Sequence, residues 1–292
     1  MQEGNMFATL LNGIIENAYI NNPVEECDYR GEDGLLYCGK CHTPRETEIS
    51  IEGRSGKLKV PIQCQCRQKA YDEEQKRIAD AKRLERTAVL KIKSNMDLKY
   101  RNVSFDGLTE TKYNARQIKL CKRYVDKFTM LSEKNQGLLF YGNAGTGKTH
   151  FACCIANALM DRCISVRVES FVKILEKAGS FASKRDEESY IESMCKAKLL
   201  ILDDLGAERC TDYGLEIVYN VIDSRYRTGK PMIVTTNFTL DEMKHPSNIR
   251  LERIFDRIFE VCYPVEFSGP SLRIKKAAVR YEEMKKLLEG SD

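Results

Sequence analysis

Gly142-Asn143-Ala144-Gly145-Thr146-Gly147-Lys148-Thr149 decides the reading of this chain. It matches G-x-x-x-x-G-K-[ST], a pattern in which glycines let successive backbone N–H groups turn inward around a phosphate at a helix N-terminus. Lys148 is then placed to reach the β- and γ-phosphates of a nucleotide, and the Thr149 hydroxyl to ligate Mg²⁺. A glycine turn that merely precedes Lys-Thr is the bland alternative. The flanks weigh against it: Leu138-Leu139-Phe140-Tyr141 is a short apolar run of strand type, and Phe151 to Leu159 reads as a buried helix.

Working outward, four further strands are expected. They are Ile164–Val168, Lys198–Gly206, Pro231–Asn237 and Glu260–Phe267. A helix is expected from Ser170 to about Lys177, followed by a polar stretch from Gly179 to Glu188, and an amphipathic helix from Tyr113 to Leu131 ahead of the glycine loop. Strands alternating with helices imply an α/β fold with a parallel sheet covered on both faces. Ligands then bind at the carboxyl ends of the strands.

Those ends carry the candidate chemistry. The third strand closes on Asp203-Asp204, where Asp203 is assigned to the Mg²⁺ held by Thr149 and Asp204 to the attacking water. Asn237 ends the neighbouring strand, where its amide can polarise the same water. Taken alone, each of these would be an ordinary cap or turn residue. Hydrolysis of a γ-phosphate also needs positive charge where negative charge develops. Arg253 and Arg257 lie one helical turn apart on one face, and Arg273 follows the fifth strand. Ion pairing with Glu252, Asp256 or Glu260 is the bland reading of the first two.

Upstream, Cys38-Gly39-Lys40-Cys41 and, after an interval of 22 residues, Cys64-Gln65-Cys66 carry paired thiols. Four thiolates suit a closed tetrahedral Zn²⁺ site of structural type. The single residue inside the second pair is unusual, which leaves Cys27 and His42 as reserve ligands. The segment from Glu46 to Val60, with Gly53 and Gly56 near its middle, reads as a hairpin supporting the site. Phe7 to Ile15 has an apolar stripe at helical spacing.

Charge follows the same division. The chain of 292 residues has a formal net charge of +4, with −4 on residues 1–66 and +5 on residues 67–101. Arg67 to Lys93 holds neither Pro nor Gly and reads as a long solvated helix joining two domains. The expected organisation is therefore a cysteine module over 1–66, a basic linker helix over 67–101 and a nucleotide-binding domain over 102–292. No apolar run is long enough to cross a bilayer, no signal-peptide pattern opens the chain, and several of the twelve cysteines sit in apolar helices or strands. No membrane partner and a cytoplasmic location are expected.

In combination, the glycine loop, Ile201-Leu202-Asp203-Asp204-Leu205-Gly206, Thr235-Thr236-Asn237, the helix with Glu252-Arg253 and Asp256-Arg257, and Ser271-Leu272-Arg273 resemble one family. They are similar to the bacterial and phage DnaC/DnaI-type helicase loaders, AAA+ ATPases related to the replication initiator and to IstB-type transposition helpers. The resemblance covers about Phe105 to Ala278. It implies a P-loop AAA+ three-layer core with a parallel five-stranded sheet, ATP and Mg²⁺ as ligands, and self-assembly through that core. It also implies Arg257 as the arginine acting on a neighbour's site, Asn237 as first sensor and Arg273 as second. The cysteine module is similar in kind to the zinc-bearing, helicase-docking domain of such loaders. The implied partners are a replicative ring helicase and single-stranded DNA, the latter contacted by Lys173, Lys177, Phe181, Lys184 and Arg185, or failing that by the basic helix from Lys76 to Lys93. A transposition helper is the nearest rival. A nucleotide-gated module that hydrolyses nothing fits poorly with Lys148, Asp204 and Arg257 all present, and a small-molecule kinase would need an acceptor pocket and a lid arginine cluster.

Overall fold

The structure, a computed structural model, describes residues 13–51, 56–206, 212–246 and 248–290. Residues 7–12 of the apolar stripe expected from Phe7 to Ile15, and Gly53, lie outside them. Among the described residues no helix is long and apolar enough to cross a membrane.

The chain forms two compact units, Met1–Lys82 and Arg83–Asp292. The first begins with helix α1, residues 13–21, and two short antiparallel strands, β1 (Tyr29–Arg30) and β2 (Leu36–Tyr37). The expected hairpin follows as β3 (Glu46–Ser50) paired with β4 (Lys57–Pro61), Glu46 opposite Pro61 and Ser50 opposite Lys57. Only Leu36, Cys38 and Cys64 are buried apolar side chains among the described residues of this unit. Polar contacts do much of the rest. Arg45 forms a buried ion pair with Asp28, which also accepts from the Gly39 amide, and Glu46 accepts from the Leu36 amide and from Arg30. A core this small needs a staple to hold it.

Helix α2 (Gln65–Lys93) is largely solvated, as its charge pattern implies, with Thr87 its one buried residue. The boundary between the units falls within it, because Thr87 donates to the Met160 carbonyl and Leu90 packs against the core of the second unit.

The second unit continues through a 3₁₀ turn at Leu98–Tyr100 to α3 (Ala115–Asp126) and α4 (Phe128–Glu133). One helix was expected here; Lys127, with φ −99° and ψ 12°, breaks it in two. Then come β5 (Gly137–Tyr141), α5 (Lys148–Asp161), β6 (Val166–Ser170), α6 (Phe171–Ala178), α7 (Lys184–Cys195), β7 (Leu199–Leu205), α8 (Asp212–Arg227), β8 (Met232–Thr236), α9 (Leu240–Lys244), α10 (Ile249–Val261), β9 (Cys262–Glu266) and α11 (Leu272–Glu289). The five strands β5 to β9 form a parallel sheet in the order β6-β7-β8-β5-β9.

Alternation along β5 builds the three layers. Leu138 and Phe140 face a core with α3 and α5, whereas Leu139 faces the opposite core with α6, α7, α8 and α10. The expected parallel α/β core is therefore present, with two local departures. Strand β6 starts two residues late because Cys163, at φ 60°, and Ile164 close α5: their amides donate to Met160 and Leu159, a Schellman cap. The polar stretch expected up to Glu188 is cut short by α7, which Ser183 caps by accepting from the Asp186 amide while Ile191, Met194 and Cys195 face the core.

Arg225, wholly buried on α8, locks the ends of α7, β7 and β8. Its guanidinium donates to the carbonyls of Cys195, Ala197, Lys198 and Pro231 at 2.6–3.2 Å. Burial pulls its pKa down to about 10, so it stays charged at neutral pH. Replacing it with Met fills similar space but strands four acceptors. Arg225→Met is expected to cost about 3 kcal/mol or more, a fall of roughly 6–12 °C in melting temperature. Thermal unfolding checks it; a fall of about 1 °C would mean the carbonyls find other donors.

Candidate functional site

The glycine loop runs from the end of β5 to the start of α5. Gly142, Gly145 and Gly147 take φ of 116°, 80° and 105°, which side-chain-bearing residues rarely adopt. At Gly145 space adds a second restriction, since a Cβ there would collide with the Ser271 hydroxyl. The Leu272 amide donates to the Gly145 carbonyl at 2.9 Å, fastening the start of α11 to the loop.

Around this loop lies a cleft of about 650 Å³. Lys148, Thr149, Asp203, Asp204, Asn237 and Arg273 all line it with Ala144, Gly145 and Gly147 of the loop, so nine sequence-predicted residues are brought together. Lys148 is buried and donates to the Gly142 and Asn143 carbonyls at 2.6 and 2.8 Å, and to Asn237 Oδ1 at 2.8 Å. Asn237 in turn donates from Nδ2 to Asp204 Oδ1 at 3.2 Å. The Thr149 hydroxyl donates to Asp203 Oδ1 at 2.8 Å. Thr146 turns back to donate to the Asn143 carbonyl.

Adjacent residues of a regular strand point to opposite faces, yet both Asp203 and Asp204 border the cleft. A β-bulge achieves this: between Leu202 and Leu205 the register of β7 against β8 shifts, and Asp204 takes φ 63°. Burial pushes the Asp203 carboxyl above its ordinary range, against the opposing hydrogen bonds of Thr235 and Thr149. Burial likewise lowers the Lys148 pKa, opposed by Asp204 and Asp203. The hydroxyl and carboxylate oxygens at Thr149 and Asp203 are hard donors of the kind Mg²⁺ takes, and the glycines leave room for phosphate beside them.

Several lining residues escaped sequence reading. Tyr100 and His150 meet edge to face at 6.2 Å, and Leu108 and Asn114 also line the cleft. No motif marks them. Thr235 lay inside a quoted strand without a role.

Arg257 is not in the cleft. Its Nε donates to Asp223 Oδ1 at 2.6 Å, a terminal nitrogen donates to the Tyr219 hydroxyl, and its guanidinium stands 5.2 and 5.4 Å from the Tyr219 and Tyr226 rings. It clamps α10 to α8 within one chain. Arg253, one turn earlier, is exposed and pairs with no described acidic residue. The stretch expected to face single-stranded DNA is also partly committed. Lys173 pairs with Asp97 at 2.6 Å, Lys177 lies over the Tyr190 ring, and Phe181 packs on that ring at 5.5 Å rather than standing open to a base. Lys184 and Arg185 remain exposed at the start of α7.

In the first unit, Cys38, Cys41, Cys64 and Cys66 converge, their four Sγ atoms all within 4.8 Å of one another. With Zn–S at about 2.3 Å, the edge of a tetrahedral thiolate site is about 3.8 Å. The Cys38–Cys66 and Cys64–Cys66 separations of 3.5 and 3.3 Å are close to that edge. The thiols are strongly unlike. The Thr43 hydroxyl and the amides of Cys66 and Thr43 pull Cys41 down to about 5, whereas the thiols of Cys64, Cys38 and Cys41 push Cys66 up to about 12. Desolvation raises Cys38, but the Cys41 and Lys40 amides bring it below the usual value. A divalent cation would let all four ionise together, so the donor set fits zinc. The reserve ligands stand outside the cluster: Cys27 is exposed, and His42 Nδ1 lies 3.2 Å from the Tyr29 hydroxyl.

Known proteins share sequence and fold with part of this chain. A family model described as IstB-like ATP binding protein matches residues 69–279. An ATP-binding protein in an insertion sequence of Mycobacterium tuberculosis is 27% identical over 146 residues, covering 49% of this chain and 58% of that protein. The replicative helicase loader DnaI of Bacillus subtilis is 28% identical over 153 residues, 48% of this chain and 48% of that protein. The crystal structure of DnaI shares the fold, with a TM-score of 0.51 and 24% identity over 61% of this chain and 94% of that one. This chain thus spans about half the length of the curated relatives it matches.

Two outcomes follow. Purified protein is expected to hold about one zinc per chain, the content of a single four-thiolate site. Cys41→Ser should release it and expose the first unit to protease while the second stays resistant; metal analysis and limited proteolysis check this, and a protease-resistant first unit without metal would overturn it. The second concerns Asp203. Its raised pKa means the ionised form is disfavoured on folding, so its contribution is favourable below the unfolded-state value and is lost as pH rises through the folded one. Asp203→Asn should therefore melt at or above the parent temperature near pH 7 without nucleotide, yet lose the stabilisation given by Mg²⁺ with ATP.

Proposed function

This chain belongs to the family of IstB-like ATP binding proteins, and from that premise we propose that it is an ATPase that loads a replicative ring helicase onto single-stranded DNA. ATP binding and hydrolysis would time loading and release. The observation that carries this reading is the thiol cluster in its own compact unit, upstream of the nucleotide cleft and outside the matched residues 69–279. A small metal-held unit on a long solvated helix suits docking on a large partner, and a relative in sequence is itself a replicative helicase loader. The functional parts are the zinc-bearing module to residue 66, the linker helix over 67–101 and the ATPase domain from 102 onward. Similarity to the insertion-sequence protein favours a second reading, a transposition helper working with a transposase.

The chemistry follows from the cleft. Lys148, now on loop carbonyls, exchanges them for the β- and γ-phosphates. Thr149 and Asp203 would hold Mg²⁺, which when bound neutralises charge on those phosphates. Asp204 orients and deprotonates the attacking water, with Asn237 keeping it aligned with Lys148. Arg273, exposed beside the loop, closes on the γ-phosphate from within the chain. The charge arriving from a neighbouring copy falls to Arg253, because Arg257 is committed to Asp223. Lys184 and Arg185 are the charges left to follow a single strand.

Recovery of bound protein from a host extract separates the two readings: a ring helicase supports loading, and a transposase overturns it. For the site, Lys148→Ala should lose ATP binding, and Asp204→Asn should bind ATP but turn it over at least about a hundredfold more slowly. Arg253→Ala should retain single-chain ATP binding and lose about a thousandfold in DNA-stimulated turnover. Mixing it with Lys148→Ala should restore part of that turnover, since each supplies what the other lacks. Rescue seen instead with Arg257→Ala would return the role to that residue.

A further inference from the structure

Thr235 is buried to 1% exposure at the end of β8, and its one hydroxyl does two jobs. It donates to Asp203 Oδ1 at 2.7 Å and accepts from the Asp204 amide at 2.9 Å. These contacts join the two consecutive residues that the β7 bulge brings to one cleft. Asp204 sits at φ 63°, a conformation costing a non-glycine residue roughly 1 kcal/mol or more unless its surroundings hold it.

We propose that Thr235 is the positioning residue that sets both carboxylates of the site, fixing the Mg²⁺-binding orientation of Asp203 and the bulge that aims Asp204. The inference rests on the reading of the cleft as a Mg²⁺-dependent ATP site. Asp203 has two hydroxyl donors, Thr149 and Thr235. Thr149 is the one expected to turn toward the cation, and Thr235 then remains to hold the carboxylate. Removing the hydroxyl also strands the Asp204 amide and loosens the bulge. The neighbouring Thr236 is a control of the same chemistry: its hydroxyl donates to the Leu205 carbonyl and accepts from the Phe238 amide, touching neither carboxylate.

The test compares the full-length parent with Thr235→Val, Thr235→Ser and Thr236→Val. Binding of a fluorescent ATP analogue is titrated with Mg²⁺, and turnover and thermal unfolding are measured alongside. Thr235→Val should raise the Mg²⁺ concentration for half-maximal effect about 10- to 100-fold, the usual consequence of removing a group that orients a metal ligand. Nucleotide affinity without Mg²⁺ should be unchanged and kcat lowered. Thr235→Ser should stay within about threefold of the parent, since it keeps both hydrogen bonds. Thr236→Val should lower the melting temperature with no change in Mg²⁺ dependence. A valine variant with parental Mg²⁺ dependence, a serine variant as impaired as valine, or an equal Mg²⁺ shift in Thr236→Val overturns the inference. Should the valine variant fail to fold, Thr235→Ala carries the same comparison. A parent that shows no Mg²⁺-dependent nucleotide binding overturns the ATP-site reading and this inference together.

Discussion

A hydrogen bond of 2.8 Å between Thr149 and Asp203 spans the sheet at its chemical end. The two residues follow β5 and close β7, strands that are not neighbours: β8 lies between them. Their side chains can meet only above the end of β8, and that strand and the residue after it supply the groups in between, Thr235 and Asn237. The strand order therefore does more than place ligands at carboxyl ends. It makes the middle strand the keystone of the site, and any slip of β8 against β7 would part the loop from its carboxylates.

The same constraint concentrates electrostatic cost in one place. Lys148 and Asp203 are both disfavoured in their charged forms by burial; Lys148 is partly compensated by the charges of Asp204 and Asp203, and Asp203 by the Thr235 and Thr149 hydroxyls and by Lys148. Such groups are stable only within a rigid frame, and here the frame is the two apolar layers around Leu138–Phe140. Arg225 locks the opposite, amino end of β7 and β8 through carbonyls alone. Stability lies in the layers and at that end, and chemistry at the other.

The first unit is held differently. With three buried apolar side chains among its described residues, it relies on an ion pair, a buried glutamate and four converging sulfurs. Hydrophobic burial scales with size, so a small module substitutes polar and metal-binding contacts for a core.

Much of this was legible in the sequence, because the signals were local. The glycine spacing of the loop demands positive φ at set positions whatever surrounds it, and apolar runs bounded by turns mark all five strands of the parallel sheet. Paired cysteines likewise marked the four sulfurs that meet. What only tertiary structure decided depends on partners distant in sequence. Arg253 and Arg257 look equivalent one turn apart, and it is Asp223 and the Tyr219 and Tyr226 rings that immobilise the second. Phe181 becomes a packed ring through Tyr190, and Tyr113 to Leu131 becomes two helices by a break in backbone angle at Lys127. In the bulge that turns Asp204 into the cleft, the Asp204 amide donates to a threonine 31 residues away. Periodicity records which face of an element is buried; which polar group a side chain then meets is fixed by the packing of other elements against it.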